Sequence, residues 1–550
     1  MAAATAPERP TVKLAQGTVV GLTLSDNLPH PVQAFRGIPY ALPPTGDRRF
    51  RPAVKVEPST DVIDAVAYGP SGPGKQLLPG GPPIVYSEDC LTANVFKQPP
   101  KDAGASKSLP VAVYIHGGAF NRGTASMHNT ASMVAWSEEP FIAVSFNYRI
   151  GALGFLPSTA SAKEGILNLG LRDQIVLFEW VQENIHLFGG DPDNVTLIGL
   201  SAGAHSTAEI GHHMMHFEEN RRPLFNKVVI ESGAPTSRAV RPYDAPIHEQ
   251  QFEDFLKETG CPDNISHEEI FSYLRAQPID KITAAQTTVF DKYNPSLRWA
   301  FQPVIDGQII ARPPLETWRQ GKWHKVPIMT GFTRNEGSLY VNKQLSESSG
   351  FLDFFSELLP LLSAKDIETI DELYPDPAKH ADSPYKETRD GVGAQYKRIE
   401  RAYGHYAYVA PVRQTAEFAV ASTSLPVYVY HWAQKSSVID GARHGDNMRY
   451  EVCDPKVTSI SPTQKTLCRT LNAYITSFIT KGDPNAVQGE MADRPKWEGY
   501  TKDKPKAMVF GEKNEELVGG VAGVPAELVA DEWGRKESEF WWSKVDISQQ

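Results

Sequence analysis

The sequence predicts an α/β fold in which helices flank a central, mostly parallel sheet. Six short apolar runs are largely continuous, as expected for strands whose two faces are both covered by helices. From Leu171 to Phe188, apolar residues recur every three or four positions, which predicts an amphipathic helix. Strands that alternate with helices pair in parallel through right-handed crossovers. The predicted strands are residues 111–115, 141–145, 195–198, 227–230, 326–329 and 425–430.

Turn signals separate these elements. Gly189-Gly190 followed by Asp191-Pro192 is a typical end for the predicted helix. Residues 68–83 are rich in Gly and Pro and are expected to form a long surface loop. Residues 1–10 are expected to be disordered.

The composition excludes several classes of protein. With 41% hydrophobic and 22% charged residues, the 550-residue chain resembles an ordinary globular protein. A membrane-spanning helix needs an uninterrupted apolar run of about 18 residues. The chain contains no such run, so no membrane span is expected. A net charge of −10 argues against a nucleic-acid-binding surface and favours solubility. Weak steering of cationic substrates is the alternative that this charge leaves open.

No metal or cofactor is expected. The four cysteines, at positions 90, 261, 453 and 468, include no CxxC pair and are too few for a disulfide scaffold. His212, His213 and His216 include a pair with i, i+4 spacing that could bind a metal. No further ligand or glutamate is placed to complete such a site.

The strongest chemical signal is Gly199-Leu200-Ser201-Ala202-Gly203. It follows the predicted strand 195–198 and precedes a helical stretch, which is the context of a nucleophile elbow. A serine on so tight a turn crowds the neighbouring backbone, so small residues are needed on both sides. Ser201 is therefore the predicted nucleophile.

A second motif, His116-Gly117-Gly118-Ala119-Phe120, directly follows strand 111–115. Small residues allow backbone N–H groups to approach a negatively charged oxygen. Together with the N–H group of Ala202, this loop would form an oxyanion hole. A simple glycine turn is the alternative, and the pairing with the elbow disfavours it.

The base and its orienting acid should follow the serine in the order acid, then histidine. Glu336 comes shortly after strand 326–329, and His444 lies downstream of strand 425–430. Both positions are beyond carboxyl ends of strands, where α/β sheets place their sites. His444 would accept the proton of Ser201, and Glu336 would fix the imidazole tautomer. The competing carboxylates Asp306, Glu316, Glu347 and Asp353 lack a preceding strand or lie in a turn or helix.

These motifs resemble the type-B carboxylesterase and cholinesterase family of the α/β-hydrolase fold along nearly the whole chain. The resemblance implies a single catalytic domain over residues 11–550 with a deep active-site gorge. It implies the triad Ser201, Glu336 and His444, and an oxyanion hole made by Gly118, Ala119 and Ala202. It also implies buried ion pairs between Arg36 and Glu88 and between Arg149 and Asp173. The matching segments are residues 35–41, 87–91, 147–149, 168–174, 188–192, 231–233, 303–307 and 482–485.

The sequence also departs from the family pattern. Leu200 replaces the usual glutamate before the serine, Gly72 stands near the missing partner of Cys90, and Tyr273 occupies the place of a partner for Cys261. Residues 68–86 contain no tryptophan, so choline esters are not the expected substrates. Because both disulfides lack a partner and no signal peptide is recognised, a cytosolic protein with four free thiols is expected.

The predicted function is hydrolysis of a small-molecule carboxylic ester through an acyl-enzyme. An alternative is acyl transfer, or lactone or thioester hydrolysis, by the same triad. A non-catalytic cholinesterase-like binding protein is disfavoured because Ser201 is intact. The oligomeric state is left open.

Overall fold

A large twisted sheet dominates the computed structural model, which describes residues 9–76, 84–100, 108–209, 222–237, 240–266 and 268–548. Eleven of the strands in these ranges form this sheet, and β1, β2 and β5 form a small separate one. The strands are β1 Thr11–Leu14, β2 Gly17–Val20, β3 Leu22–Leu24, β4 Val32–Pro39, β5 Val62–Asp64, β6 Thr92–Lys97, β7 Leu109–Ile115, β8 Ile142–Phe146, β9 Gly190–Leu200, β10 Lys227–Glu231, β11 Ile328–Thr333, β12 Val427–Trp432, β13 Lys506–Phe510 and β14 Ala526–Ala530.

Helices connect the strands and cover the sheet. The α-helices are α1 Thr130–Trp136, α2 Gly151–Gly154, α3 Thr159–Glu164, α4 Leu169–Asn184, α5 Ala202–Ala204, α6 Pro246–Glu258, α7 Ile270–Ala276, α8 Ile279–Tyr293, α9 Pro314–Arg319, α10 Ser348–Leu358, α11 Ala364–Leu373, α12 Tyr396–Gly404, α13 Ala410–Ser422, α14 Met448–Glu451, α15 Pro455–Thr458, α16 Pro462–Lys481, α17 Arg535–Ser543 and α18 Val545–Ser548. Short 3₁₀ turns lie at Gly46–Arg48, Ala125–Met127, Ile185–Phe188, Glu336–Leu339, Gly489–Met491 and Glu516–Val518, and π-helical turns at His205–Glu209 and His405–Val409. None of the described helices is long and apolar enough to cross a membrane.

The order of the large sheet is β14-β13-β12-β11-β10-β9-β7-β8-β6-β4-β3. From β13 to β8 all neighbouring strands are parallel, and β14 at one edge and β6, β4 and β3 at the other are antiparallel. The six predicted strands correspond to β7 to β12, which form the centre of the sheet. The prediction of a mostly parallel sheet is confirmed.

The predicted amphipathic helix is also present, with a modified last turn. α4 ends at Asn184, and residues 185–188 continue it as a 3₁₀ turn. Gly189 then adopts φ +89°, a left-handed conformation that favours glycine and stops the helix.

One predicted ion pair is present and the other is wrong. Arg149 and Asp173 form a buried pair at 2.6 Å. Glu88 pairs instead with Arg49 at 2.6 Å. The Arg36 guanidinium binds a backbone carbonyl and lies 5.2 Å from the centre of the Tyr68 ring.

All four cysteines are buried and free. At the second missing disulfide, the hydroxyl group of Tyr273 bonds the carbonyl oxygens of Thr259 and Gly260 at 2.9 and 2.8 Å. The tyrosine therefore ties α7 to the turn before Cys261 by hydrogen bonds.

The first missing disulfide can be restored. A Cβ added at Gly72 would lie 3.5 Å from Sγ of Cys90, without a closer clash. We expect Gly72→Cys to form a bond with Cys90 and to raise the free energy of unfolding by roughly 3 kcal/mol, because the bond closes a loop in the unfolded chain. Thermal unfolding with and without a reductant measures this effect. Gly72→Ser is the size-matched control, and equal unfolding of the two variants under oxidising conditions would contradict the expectation.

Candidate active site

Ser201 lies in the sharp turn between β9 and α5. Its backbone adopts φ +57° and ψ −121°, a conformation that a residue with a side chain rarely takes and that marks a strained elbow. A Cβ at Gly199 would lie 2.2 Å from the carbonyl oxygen of Gly203, and one at Gly203 would lie 2.0 Å from that of Ile115. Both flanking glycines are therefore required by close backbone approach.

The loop after β7 packs directly on this elbow. A Cβ at Gly117 would lie 2.6 Å from the carbonyl oxygen of Leu200 and 3.0 Å from Cβ of Ser201. Gly118 adopts φ +117° and Ala119 φ +54°. The loop thus brings two consecutive peptide groups beside the serine.

Hydrogen bonds orient these peptide groups. The carbonyl of Gly117 accepts a bond of 2.9 Å from Nδ1 of His116, and burial lowers the pKa of this histidine to about 4, so the ring is neutral. The carbonyl of Gly118 accepts bonds from the N–H groups of residues 121–122 at 3.1 and 3.0 Å. Because a trans peptide directs its N–H away from its C=O, the N–H groups of Gly118 and Ala119 face the opposite side.

The elbow contributes a third N–H group in the same way. The carbonyl of Ser201 accepts a bond of 2.8 Å from the N–H of His205. The N–H of Ala202, which belongs to the same peptide group, is therefore directed away from the helix. The three predicted donors all lie on segments that line or adjoin one cavity.

Glu336 and His444 are in contact. Oε2 of Glu336 lies 2.5 Å from Nδ1 of His444. The other carboxylate oxygen accepts bonds of 2.7 Å from the hydroxyl group of Ser232 and from the N–H of Thr333. The carboxylate is 1% exposed. Its orientation is therefore fixed by three donors.

Asn335, which the sequence reasoning missed, joins the two loops that carry these side chains. Its N–H donates to the carbonyl of Ala442 at 2.9 Å, and its side-chain oxygen accepts from the N–H of Ala442 at 3.0 Å. On the other side, a Cβ at Gly337 would lie 2.1 Å from the carbonyl oxygen of Glu400, so glycine allows α12 to pack against the acid loop.

Ser201 and His444 line the same cavity, which has a volume of about 520 Å³. Nε2 of His444 is buried and has no hydrogen-bond partner among the described residues. The bond from Ser201 to His444 that the predicted mechanism needs is therefore not formed here. Catalytic hydrogen bonds often tighten only when substrate is bound.

The cavity wall carries more positive than negative charge, although the chain is acidic. Lys75 is paired with Asp291, and Arg443 with Asp446. Two more cations, Arg122 and Arg449, line the cavity, and no described carboxylate forms an ion pair with either of them. The net charge of the chain is therefore a poor guide to the charge of the site.

The competing carboxylates are far less suited to the role of the acid. One oxygen of Asp306 accepts the N–H group of Gln308 at 2.9 Å and that of Ile310 at 2.8 Å. Such bonds to the local backbone are expected for an aspartate in a turn. Glu316, Glu347 and Asp353 are exposed. Among the five candidates, Glu336 is the one in contact with His444.

Comparison with known proteins identifies the family to which the chain belongs. Residues 8–528 match the model of the carboxylesterase family. The chain belongs to the carboxylesterase family. It is a carboxylic ester hydrolase, as predicted.

Individual relatives agree with this membership. The carboxylesterase is 34% identical to "Secreted lipase 4" of Gibberella zeae over 96% of its own length and 91% of the relative's. It is 29% identical to "Phenmedipham hydrolase" of Pseudarthrobacter oxydans, with coverages of 94% and 97%. The solved structure of Aspergillus niger EstA superposes with a TM-score of 0.82 at 26% identity, over 98% of this chain and 99% of that one. The α/β-hydrolase fold is thereby confirmed.

Behind the elbow, the carboxylesterase buries two acidic side chains that the sequence reasoning missed. Glu231 accepts bonds of 2.9 Å from the hydroxyl of Tyr430 and the amide of Asn447, and Glu451 lies 2.9 Å from Nε2 of His128. Burial, and then the neighbouring Glu451, raises the pKa of Glu231 well above its usual value. Burial raises the pKa of Glu451 to about 8. The pair therefore holds protons at neutral pH.

This burial makes stability depend on pH. Glu451 stays protonated in the folded carboxylesterase up to about pH 8, whereas in the unfolded chain it ionises at about pH 4.3. The folded state binds more protons between these values, so the free energy of unfolding should fall as pH rises, by up to about 1.4 kcal/mol per pH unit. Glu451→Gln should flatten this slope between about pH 5 and 8, measured as melting temperature against pH. The control is Glu357→Gln at an exposed site, and an unchanged slope in Glu451→Gln would contradict the argument.

The remaining sequence hypotheses concern metals and compartment. His212, His213 and His216 lie outside the described residues. In the part of the chain that is described, no group of three or more His, Cys, Asp or Glu side chains could hold a metal ion. The cytosolic location gains no support from the comparisons, and the single domain over residues 11–550 stays a prediction.

Proposed function

We propose that this carboxylesterase cleaves its ester through an acyl-enzyme on Ser201, with His444 as base and Glu336 as the acid that orients it. The observation that carries the proposal is the contact between Glu336 and Nδ1 of His444. The other ring nitrogen of His444, Nε2, has no partner among the described residues, and His444 lines the same cavity as Ser201. Membership of the family supports ester hydrolysis itself.

In the proposed first step, Oγ of Ser201 attacks the ester carbonyl carbon while Nε2 of His444 accepts the hydroxyl proton. Glu336 accepts a hydrogen bond from Nδ1–H and stabilises the imidazolium. The negative oxygen of the tetrahedral intermediate would bind the N–H groups of Gly118, Ala119 and Ala202. Collapse of the intermediate breaks the ester C–O bond, and His444 protonates the departing alcohol.

The second step reverses these roles. His444 removes a proton from water, the resulting hydroxide attacks the acyl carbon, and Ser201 regains its proton as the carboxylic acid leaves. An alcohol in place of water would give acyl transfer, the alternative that the sequence leaves open.

Trapping of the acyl-enzyme tests this proposal. The protein is mixed with a p-nitrophenyl ester, quenched with acid within the first turnovers, and digested for mass spectrometry. We expect the acyl mass on the peptide that carries Ser201. Turnover with an acyl group on another residue would overturn the assignment. Added alcohols in parallel samples report whether free acid or a new ester is formed.

The compartment is a separate proposal. The relative from Gibberella zeae is named as secreted, whereas the missing disulfides favour a reducing compartment. Buried thiols can stay free in either place, so the four free cysteines do not decide between them. Fractionation of the producing cells and their medium, followed by an esterase assay, decides the location.

A further inference from the structure

A second cavity, of about 50 Å³, lies beside the catalytic one. Trp299 lines both cavities. We call this second cavity the arginine compartment. Its wall includes His205, Arg241, His248, Arg298, Gln302 and Tyr406.

The arginine compartment is connected to the reacting groups. His205 follows the nucleophile by one helical turn, and its N–H binds the carbonyl of Ser201 at 2.8 Å. The amide of Gln302 donates to the carbonyl of Ala119 at 3.0 Å. A side chain of the elbow helix and a residue bound to the oxyanion loop therefore both form its wall.

The charges in the arginine compartment lack a counterion. Arg241 and Arg298 are close enough for the charge of Arg298 to lower the pKa of Arg241, in addition to the larger effect of burial. In the described part of the chain, neither guanidinium forms an ion pair, and Nε of Arg298 is buried without a hydrogen-bond partner. Both arginines are half-buried, and two cations that share a confined wall without a counterion are suited to binding an anion.

The arginines that are fully buried in the described part of the chain are paired. Arg149 binds Asp173 and Arg413 binds Asp531, each at 2.6 Å, and Arg398 pairs with Asp371. Arg241 and Arg298 are half-buried, and they lie together, without an ion pair among the described residues, on the wall of the cavity next to the nucleophile.

His248 adds hydrogen-bonding capacity. It is 5% exposed, neither ring nitrogen has a well-formed hydrogen bond to a described residue, and Gln251 is the side chain that interacts with the ring. Burial and then the charge of Arg241 lower the pKa of His248 to about 3, so its ring is neutral and can donate one bond. Two guanidinium groups and one imidazole N–H are the donors that a planar carboxylate binds well.

We propose that the arginine compartment binds a free carboxylate of the substrate, so that the preferred substrates are esters that carry a second, ionised carboxyl group. The inference rests on the proposed function, because it takes Ser201 as the reacting centre. The excess of cations on the wall of the catalytic cavity would attract the same substrates. The carboxylate can belong to the acyl part or to the alcohol part of the ester.

Two substrate series distinguish a carboxylate on the acyl part from one on the alcohol part of the ester. The first contains monomethyl esters of dicarboxylic acids from succinate to suberate, compared with methyl esters of monocarboxylic acids of equal length. The second contains acetates of hydroxy acids, compared with acetates of simple alcohols. We expect kcat/KM in one series to favour the charged ester by roughly 10- to 100-fold at the best length, the range that a charge-assisted hydrogen bond supplies.

Variants assign the preference to the arginines. Arg241→Gln and Arg298→Gln should each remove most of the preference for the charged ester and change the kcat/KM of the neutral ester about twofold at most. Arg298→Lys, which keeps the charge, should retain part of the preference. Arg48→Gln, at an exposed arginine on a distant 3₁₀ turn, is the matched control.

The outcomes are distinct. If the wild type shows no preference for charged esters in either series, the inference is wrong whatever the variants do. A preference that survives in the double variant would also overturn it and would point to the cations of the catalytic cavity. If neither kind of ester is hydrolysed, or if Ser201→Ala leaves hydrolysis intact, the proposed function has failed instead.

Discussion

Ser201→Ala should lower the turnover of p-nitrophenyl butyrate by roughly 10⁴- to 10⁶-fold. The substitution removes the oxygen that would form the acyl bond, and no neighbouring group can replace it: Leu200 and Ala202 lack nucleophilic atoms. Initial rates with purified protein, corrected for the uncatalysed reaction, provide the measurement.

The fold should survive this change. Alanine is small and fits the turn at least as well as serine, although the strain of a positive φ remains. The residual rate would come from substrate binding and the oxyanion loop, which Ser201→Ala leaves in place. Ser132→Ala is a suitable control, because this serine is likewise buried but donates its hydroxyl to the carbonyl of Cys453 and does not line the cavity. A rate of Ser201→Ala close to that of the control would refute the assignment of the nucleophile.

The sequence could predict the centre of the sheet because its strands are buried on both faces. Most residues of β7, β8 and β12 are apolar, and β9 and β10 each contain a short apolar run, as expected for strands that are covered on both faces. The outer strands β4, β6 and β14 were missed because polar residues interrupt their apolar runs. Within β6, Asn94 is buried, and its amide bonds the carbonyl of Ser145 in β8 at 3.1 Å. In a sequence, a polar residue such as Asn94 predicts an exposed position, because the strand that satisfies its hydrogen bonds is not yet known.

The motifs at the site could be predicted because each is confined to a few consecutive residues. In the elbow and the oxyanion loop, the close backbone contacts that require glycine are visible as short glycine-rich motifs. Asn335 and Ser232 could not be found, because their roles depend on loops that are distant in sequence. The Arg36–Glu88 prediction was wrong because Arg49, in a loop outside the matching segments, binds the carboxylate of Glu88 instead.

The same limit applies to charge. Glu231, Glu451, Arg241 and Arg298 are ordinary charged residues in the sequence, and most such residues are solvated. The burial of the two glutamates and the clustering of the two half-buried arginines arise from the packing of segments that are far apart in the chain. The composition gives a net charge of −10, yet cations predominate on the wall of the catalytic cavity. Only the spatial arrangement shows this reversal.

Glu336→Gln should lower turnover by roughly 10²- to 10⁴-fold and leave the fold intact. The carboxylate accepts from three donors: the hydroxyl of Ser232, the N–H of Thr333 and Nδ1 of His444. An amide has one acceptor oxygen and one NH₂ group. If the oxygen stays with Thr333 and Ser232, the NH₂ group faces Nδ1, and the imidazole must then carry its proton on Nε2.

That tautomer cannot accept the proton of Ser201, and the amide no longer stabilises an imidazolium. The loss should appear mainly in kcat, since the cavity that binds the ester is unchanged, and thermal unfolding should report a folded protein. Glu347→Gln is the matched control at an exposed position just before α10, and Asp306→Asn tests the turn carboxylate. Both should alter turnover far less than Glu336→Gln. Full activity of Glu336→Gln together with an inactive Asp306→Asn would mean that the acid had been assigned to the wrong residue. The carboxylate of Glu336, although it contacts Nδ1 of His444, would then have no role in setting the tautomer.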